Sequence, residues 1–146
     1  MKTKLLLFLP LIAVLTLKSL FGHCQVPCGV YTDSVRFEQM LEDHTTIEKA
    51  SQKIIELSNK EDALSVQQLS RWVTTKEAHA SQIQKVISEY FLIQRIKPTA
   101  EDYVKQLKEA HAIMVAAMKC KQNLKEKYPE NLKNSILAFR KTYQGK

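Results

Sequence analysis

From Phe37 onward, apolar residues recur every three or four positions and show no alternating run, a pattern that confines the chain to helices. Phe37, Leu41, His44, Ile47, Ser51 and Ile54 share one face of a helix predicted over about 33–58, with Thr32-Asp33-Ser34 offering an N-cap. Asn59-Lys60-Glu61-Asp62 breaks it. Val66, Leu69, Trp72, Val73, Ala80, Ile83, Ile87, Tyr90 and Phe91 then form one stripe of a longer helix over about 63–95, stopped by Lys97-Pro98. Thr99 with Asp102 has the form of a capping box, and Tyr103, Leu107, Ala110, Met114, Ala117 and Met118 carry a third helix to about 124. Tyr128-Pro129 ends the connection that follows, and Leu132, Ile136, Phe139 and Tyr143 mark a short fourth helix. No single stripe can be buried alone, so the expectation is an all-α fold: an antiparallel up-down four-helix bundle over residues 32–146.

Composition agrees with a folded chain, since 45% of its residues are hydrophobic and it has only three Gly and four Pro. The bundle itself lacks the signature of a di-iron carboxylate centre, because Leu41, Lys76 and Lys108 stand three residues before His44, His79 and His111, where Glu-x-x-His needs an acid. Those histidines are expected at the core edge or on the surface. Cys120, in the helical run Val115-Ala116-Ala117-Met118-Lys119-Cys120, is expected to be a partly buried free thiol. No Gly-x-Ser-x-Gly and no phosphate-cradling glycine loop is present.

The segment before the bundle has a different character. Met1-Lys2-Thr3-Lys4 is a basic start, Leu5 to Leu17 is an apolar run of thirteen residues, and Lys18-Ser19-Leu20-Phe21-Gly22 leads to a cleavage point, so residues 1–22 read as a removable leader. Thirteen residues are too few for an ordinary bilayer span, and no stable membrane association is expected after cleavage. Lys2, Lys4 and Lys18 fall in the leader, which lowers the formal charge from +7 to +4 for the remainder. Basic residues there are scattered among acids, which gives nucleic-acid binding no support.

Residues 23–31, His23-Cys24-Gln25-Val26-Pro27-Cys28-Gly29-Val30-Tyr31, form a metal hook. Cleavage before His23 frees an α-amine beside an imidazole, a backbone amide and the Cys24 thiol, which can close small chelate rings around one ion. Pro27 and Gly29 supply the bend that brings Cys28 back. Mixed nitrogen and thiolate donors suit Ni(II) or Cu(II) rather than Mg, Ca or a closed tetrahedral zinc site. Spacing alone favours a small-loop Cys24–Cys28 disulfide in an oxidising compartment, and the flanking His23, Pro27, Gly29 and Tyr31 turn the reading toward a metal.

The pattern His-Cys-x-x-Pro-Cys-Gly-x-Tyr resembles the hook of the nickel-containing superoxide dismutases, and the helical remainder resembles their cyanobacterial and algal branch through Arg71-Trp72-Val73-Thr74-Thr75-Lys76-Glu77 and Glu89-Tyr90-Phe91. The resemblance implies an enzyme that converts superoxide to dioxygen and hydrogen peroxide at a Ni(II)/Ni(III) centre, with one nickel per subunit held by His23, Cys24 and Cys28. It also implies a homohexamer. It assigns Tyr31 to the open axial side, Glu38 to the axial imidazole and Tyr90 to the hook tyrosine. Gln25 departs from members with Asp at that position, so no proton donor is assigned there. The leader implies an exported protein, and removal of a propeptide by a maturation peptidase in the cytoplasm is the alternative. Two other functions remain open on the residues: an exported helical binding or structural protein with a Cys24–Cys28 disulfide, and a nickel or copper chaperone using the same donors without turnover.

Overall fold

A computed structural model describes residues 31–145, and the segment carrying His23, Cys24 and Cys28 lies outside them. Four helices form: α1 (Asp33–Leu57), α2 (Ala63–Lys85), α3 (Tyr103–Gln122) and α4 (Lys127–Gln144). The α2 axis continues as a π-helical segment, Val86–Arg95, and no strand occurs among the described residues. Thr32 caps α1 by accepting from the Val35 amide at 3.4 Å, and Asp62 caps α2 by accepting from Ser65 at 3.0 Å. Gly145, at φ 66°, takes the left-handed conformation that closes α4.

The helices pack around a square, α1 on α2, α2 on α3, α3 on α4 and α4 on α1. Cross-links fix the directions. Tyr143 near the end of α4 and Arg95 at the end of the π segment both reach Asp33 at the start of α1, and Thr142 of α4 donates to Glu109 in the first half of α3. Every neighbouring pair is therefore antiparallel, as short connections demand. The four-helix bundle expected from the apolar stripes is the observed fold.

The core runs from Phe37, Met40 and Ile47 of α1 through Ile83, Ile87 and Phe91 to Ile113, Leu132, Ile136 and Phe139, all inaccessible to solvent. Several details differ from the sequence expectation: His44, expected at the core edge or on the surface, is buried at 4% exposed, and the helix expected to run to about 95 turns π-helical from Val86. The first turns of α2 are not core: Val66 is 51% exposed and Val73 41%, because α3 ends at Gln122, level with Lys76, and leaves the part of α2 before Lys76 without that neighbour. The Thr99–Asp102 capping box does not form. Thr99 lies in a turn, α3 starts only at Tyr103, and Asp102 precedes it without a side-chain cap bond. Pro129 lies inside the first turn of α4 rather than before it, a place where its missing N–H costs nothing because that donor has no helical partner. Cys120 is fully rather than partly buried, and it is a free thiol whose pKa burial pushes up to about 11.

Beside Cys120, Lys76 is buried too. Its ammonium donates to the carbonyls of Cys120, Lys121 and Asn123 at 3.0, 2.9 and 3.3 Å. These are C-terminal carbonyls of α3 that have no helical donor, so a cation here satisfies them and meets the negative end of the helix dipole.

Candidate metal centre

Tyr31 is the first described residue, and the chain enters α1 from it at one end of the bundle. Two other elements converge there. Tyr90 of the π segment points its hydroxyl at Asp33 Oδ1 (2.6 Å) and at the Tyr31 carbonyl (3.2 Å). Arg95 Nη2 donates to the Tyr90 hydroxyl at 2.9 Å and approaches the Tyr31 carbonyl at 3.5 Å, while its Nε lies 3.0 Å from Asp33 Oδ1. From α4, Tyr143 donates to the other Asp33 oxygen at 3.0 Å.

Helix geometry explains why Tyr90 and Arg95 work together. Five residues along an α-helix point about 140° apart at 3.6 residues per turn. The wider π turn, closed by bonds such as Ile96 N–H to Phe91 C=O at 2.9 Å, brings positions five apart into line. Arg95 therefore lies over its own neighbour five residues back, with its guanidinium carbon 5.0 Å from the Tyr90 ring centre. Arg36, one turn into α1, stacks 3.7 Å above the Tyr31 ring and 5.5 Å from that of Tyr90, so one cation links both rings. Its Nη1 donates to Gln39 at 2.7 Å.

Burial, and then the bond to Asp33, push the Tyr90 hydroxyl pKa above its ordinary value; the same two causes push that of Tyr143 higher still. Both phenols stay protonated near neutrality. The hydrogen bond from Arg95 to Tyr90 leads the causes that hold the guanidinium firmly charged.

Of the residues singled out from the sequence, Tyr31 and Tyr90 come together here, through the Tyr31 carbonyl and the shared Arg36. Glu38 does not join them. It is exposed and paired with Arg140 of α4 at 2.7 Å. His23, Cys24 and Cys28 lie outside the described residues. Sequence reasoning missed Asp33, Arg36, Arg95 and Tyr143. Asp33 was legible only as a capping residue, and no α-helical spacing could pair Arg95 with Tyr90. Among the described residues, no three His, Cys, Asp or Glu side chains converge as a metal site would require.

The donor set of the hook suits nickel. Superoxide dismutation needs a one-electron couple, which hydrated nickel does not offer, and thiolate sulfur with an anionic amide nitrogen donates the electron density that makes trivalent nickel accessible. No curated protein and no solved structure matches the chain. The family description "nickel-containing superoxide dismutase" matches residues 18–146, a stretch that includes the hook and the whole bundle. With the fold, the tyrosine-lined end of the bundle and a match of that extent in hand, the chain belongs to the nickel-containing superoxide dismutase family.

Proposed function

We propose that the nickel of this superoxide dismutase is held by the amine and imidazole of His23, the amide and thiolate of Cys24 and the thiolate of Cys28, after cleavage between Gly22 and His23. The observation that carries this reading is the burial of Cys120. A nickel redox couple calls for thiolates, the chain has three cysteines, and Cys120 is sealed in the core with a thiol that burial keeps protonated. Paired thiolates can then come only from Cys24 and Cys28. An uncut chain would lack the His23 amine, so cleavage switches metal binding on.

Bound there, nickel supplies the Ni(II)/Ni(III) couple by which two superoxide ions and two protons become dioxygen and hydrogen peroxide. The chain's own residues supply the surroundings. Cys28 stands three residues before Tyr31, so the hook is tethered to the end of the bundle where Tyr31, Tyr90 and Arg36 meet. Tyr31 narrows access to small anions, Tyr90 braces the point where the hook leaves the bundle, and the nearby guanidiniums favour an anionic substrate. Glu38 orients the His23 imidazole in this reading, and its exposed carboxylate keeps room for a second partner beside Arg140. One nickel per subunit, a homohexamer in which a neighbouring subunit steadies each hook, and export directed by residues 1–22 with a maturation peptidase complete the proposal.

Native mass spectrometry of protein purified from its own host tests it. A subunit that begins at His23, carries one nickel and assembles in sixes is the expected result. A metal-free subunit two hydrogens light would identify a Cys24–Cys28 disulfide and overturn the assignment.

A further inference from the structure

Asp33 joins three side chains at this end, Tyr90 and Arg95 of the π segment and Tyr143 of α4. Its two oxygens are divided between two helices: Oδ1 accepts from Tyr90 at 2.6 Å and faces Arg95 at 3.0 Å, and Oδ2 accepts from Tyr143 at 3.0 Å. A phenol has one proton to give. The 2.6 Å contact to a carboxylate is short and charge-assisted, whereas the contact to the Tyr31 carbonyl is 3.2 Å, so the Tyr90 proton is committed to Asp33. Arg95 occupies a Tyr90 lone pair at 2.9 Å and draws on the Tyr31 carbonyl at 3.5 Å. With the Tyr90 proton so committed, the backbone carbonyl from which the hook departs packs against the Tyr90 oxygen at 3.2 Å and meets the Arg95 donor at 3.5 Å, and one carboxylate sets the places of both side chains.

We propose that Asp33 is a positioning residue for dismutation: it fixes Tyr90 and Arg95 against the Tyr31 carbonyl and thereby sets the direction in which the nickel-binding segment leaves the bundle. Tyr90 is then a fixed wall of the site and not a proton donor, because its proton already serves Asp33. The proposal rests on the reading that His23, Cys24 and Cys28 hold the metal.

The test uses the processed, nickel-loaded protein and its metal-free form, each as Asp33→Asn, Asp33→Glu and Tyr143→Phe. In the metal-free protein, tyrosine ring carbons labelled beside the hydroxyl report the network by NMR. The Tyr90 signal is expected to shift in Asp33→Asn and to return most of the way in Asp33→Glu. In the loaded protein, Asp33→Asn is expected to keep its nickel and its helical circular dichroism. Its kcat is expected to fall about tenfold, the low end of what partners behind a metal ligand cost, and the paramagnetic resonance spectrum of the oxidised centre to broaden as the hook samples more directions. Asp33→Glu should recover both. Tyr143→Phe frees one Asp33 oxygen without removing charge, and is expected to give a smaller change of the same kind, which keeps the test decisive if Asp33→Asn does not fold. A wild-type kcat and an unchanged resonance spectrum in Asp33→Asn would overturn the proposal alone. Nickel retained by a chain lacking His23 would overturn the metal assignment and this proposal with it.

Discussion

His44 shows how one buried side chain sets a response to pH. It lies in the core between α1 and α4, 4% exposed, where its ring meets the Pro129 backbone. Burial holds its pKa below the ordinary 6.5, and Lys133 pushes the same way while Glu48 and the Pro129 contact oppose. Below 6.5 the unfolded chain therefore binds a proton that the folded chain refuses, so stability is full above that value and is lost as the pH falls through the window beneath it. The adjacent Asp43 has the opposite sign. Its pKa is raised, burial outweighing its 2.6 Å bond to His79, so it costs stability as the pH rises from 3.8 through its folded value. Urea midpoints measured from about pH 7.5 down to about pH 5.5 are expected to fall for the wild type and to flatten for His44→Gln, which removes only the imidazole's contribution. Equal slopes in the two proteins would place the titration elsewhere.

At the scale of the element, the π segment is what joins the core to the site. Phe91 packs on Phe37 at 4.9 Å, on Phe139 at 5.1 Å and on Tyr143 at 5.3 Å, while its neighbour Tyr90 reaches the Tyr31 carbonyl and Asp33. One residue thus locks α1, the π segment and α4 together at the end where the chain enters. Phe91→Ala is expected to lower stability by about 3–5 kcal/mol, the usual cost of emptying a buried phenylalanine site, with the loss read from the denaturant midpoint at constant slope. A loss under about 1 kcal/mol would mean that the cluster collapses to fill the gap. The helices around this segment were legible in the sequence because each buries a stripe at α-helical spacing, and Phe37, Ile47, Ile83, Ile87, Ala110 and Phe139 fall where that spacing puts them. The π register was not legible. Period-based reading assumes a fixed angle per residue, and it cannot see a contact between Tyr90 and Arg95. Asp33 carried the signal of a cap, yet Thr32 takes that role and leaves the Asp33 carboxylate for Tyr90, Tyr143 and Arg95. The hook donors His23, Cys24 and Cys28 rest on residue type and spacing, and they lie outside the described residues.

For the whole molecule, the decisive quantity is the field that meets an arriving anion. Residues 23–146 carry a formal +4, and at the Tyr31 end of the bundle Arg95 pairs with Asp33, Arg140 pairs with Glu38 and Arg36 stacks on Tyr31. Superoxide is small and singly charged, so its approach depends on this local excess more than on any contact at the surface. The screening length shrinks from about 30 Å at 0.01 M salt to about 8 Å at 0.15 M, and within that range the field of a subunit this size is largely extinguished for a distant ion. The value of kcat/KM is therefore expected to fall about tenfold, the low end of the factor attributed to steering, as salt is raised across this range. Arg140→Gln should lower the low-salt rate and flatten the dependence while leaving the high-salt rate nearly unchanged, because a rim charge acts on encounter and not on the bound state. Two thiolates, with Cys24 and Cys28 holding the metal as proposed, would pull the other way, which makes the sign informative. A rate that rises with salt would mean that the thiolates outweigh the guanidiniums and that the end of the bundle repels its substrate; a rate that falls means that Arg36, Arg95 and Arg140 win.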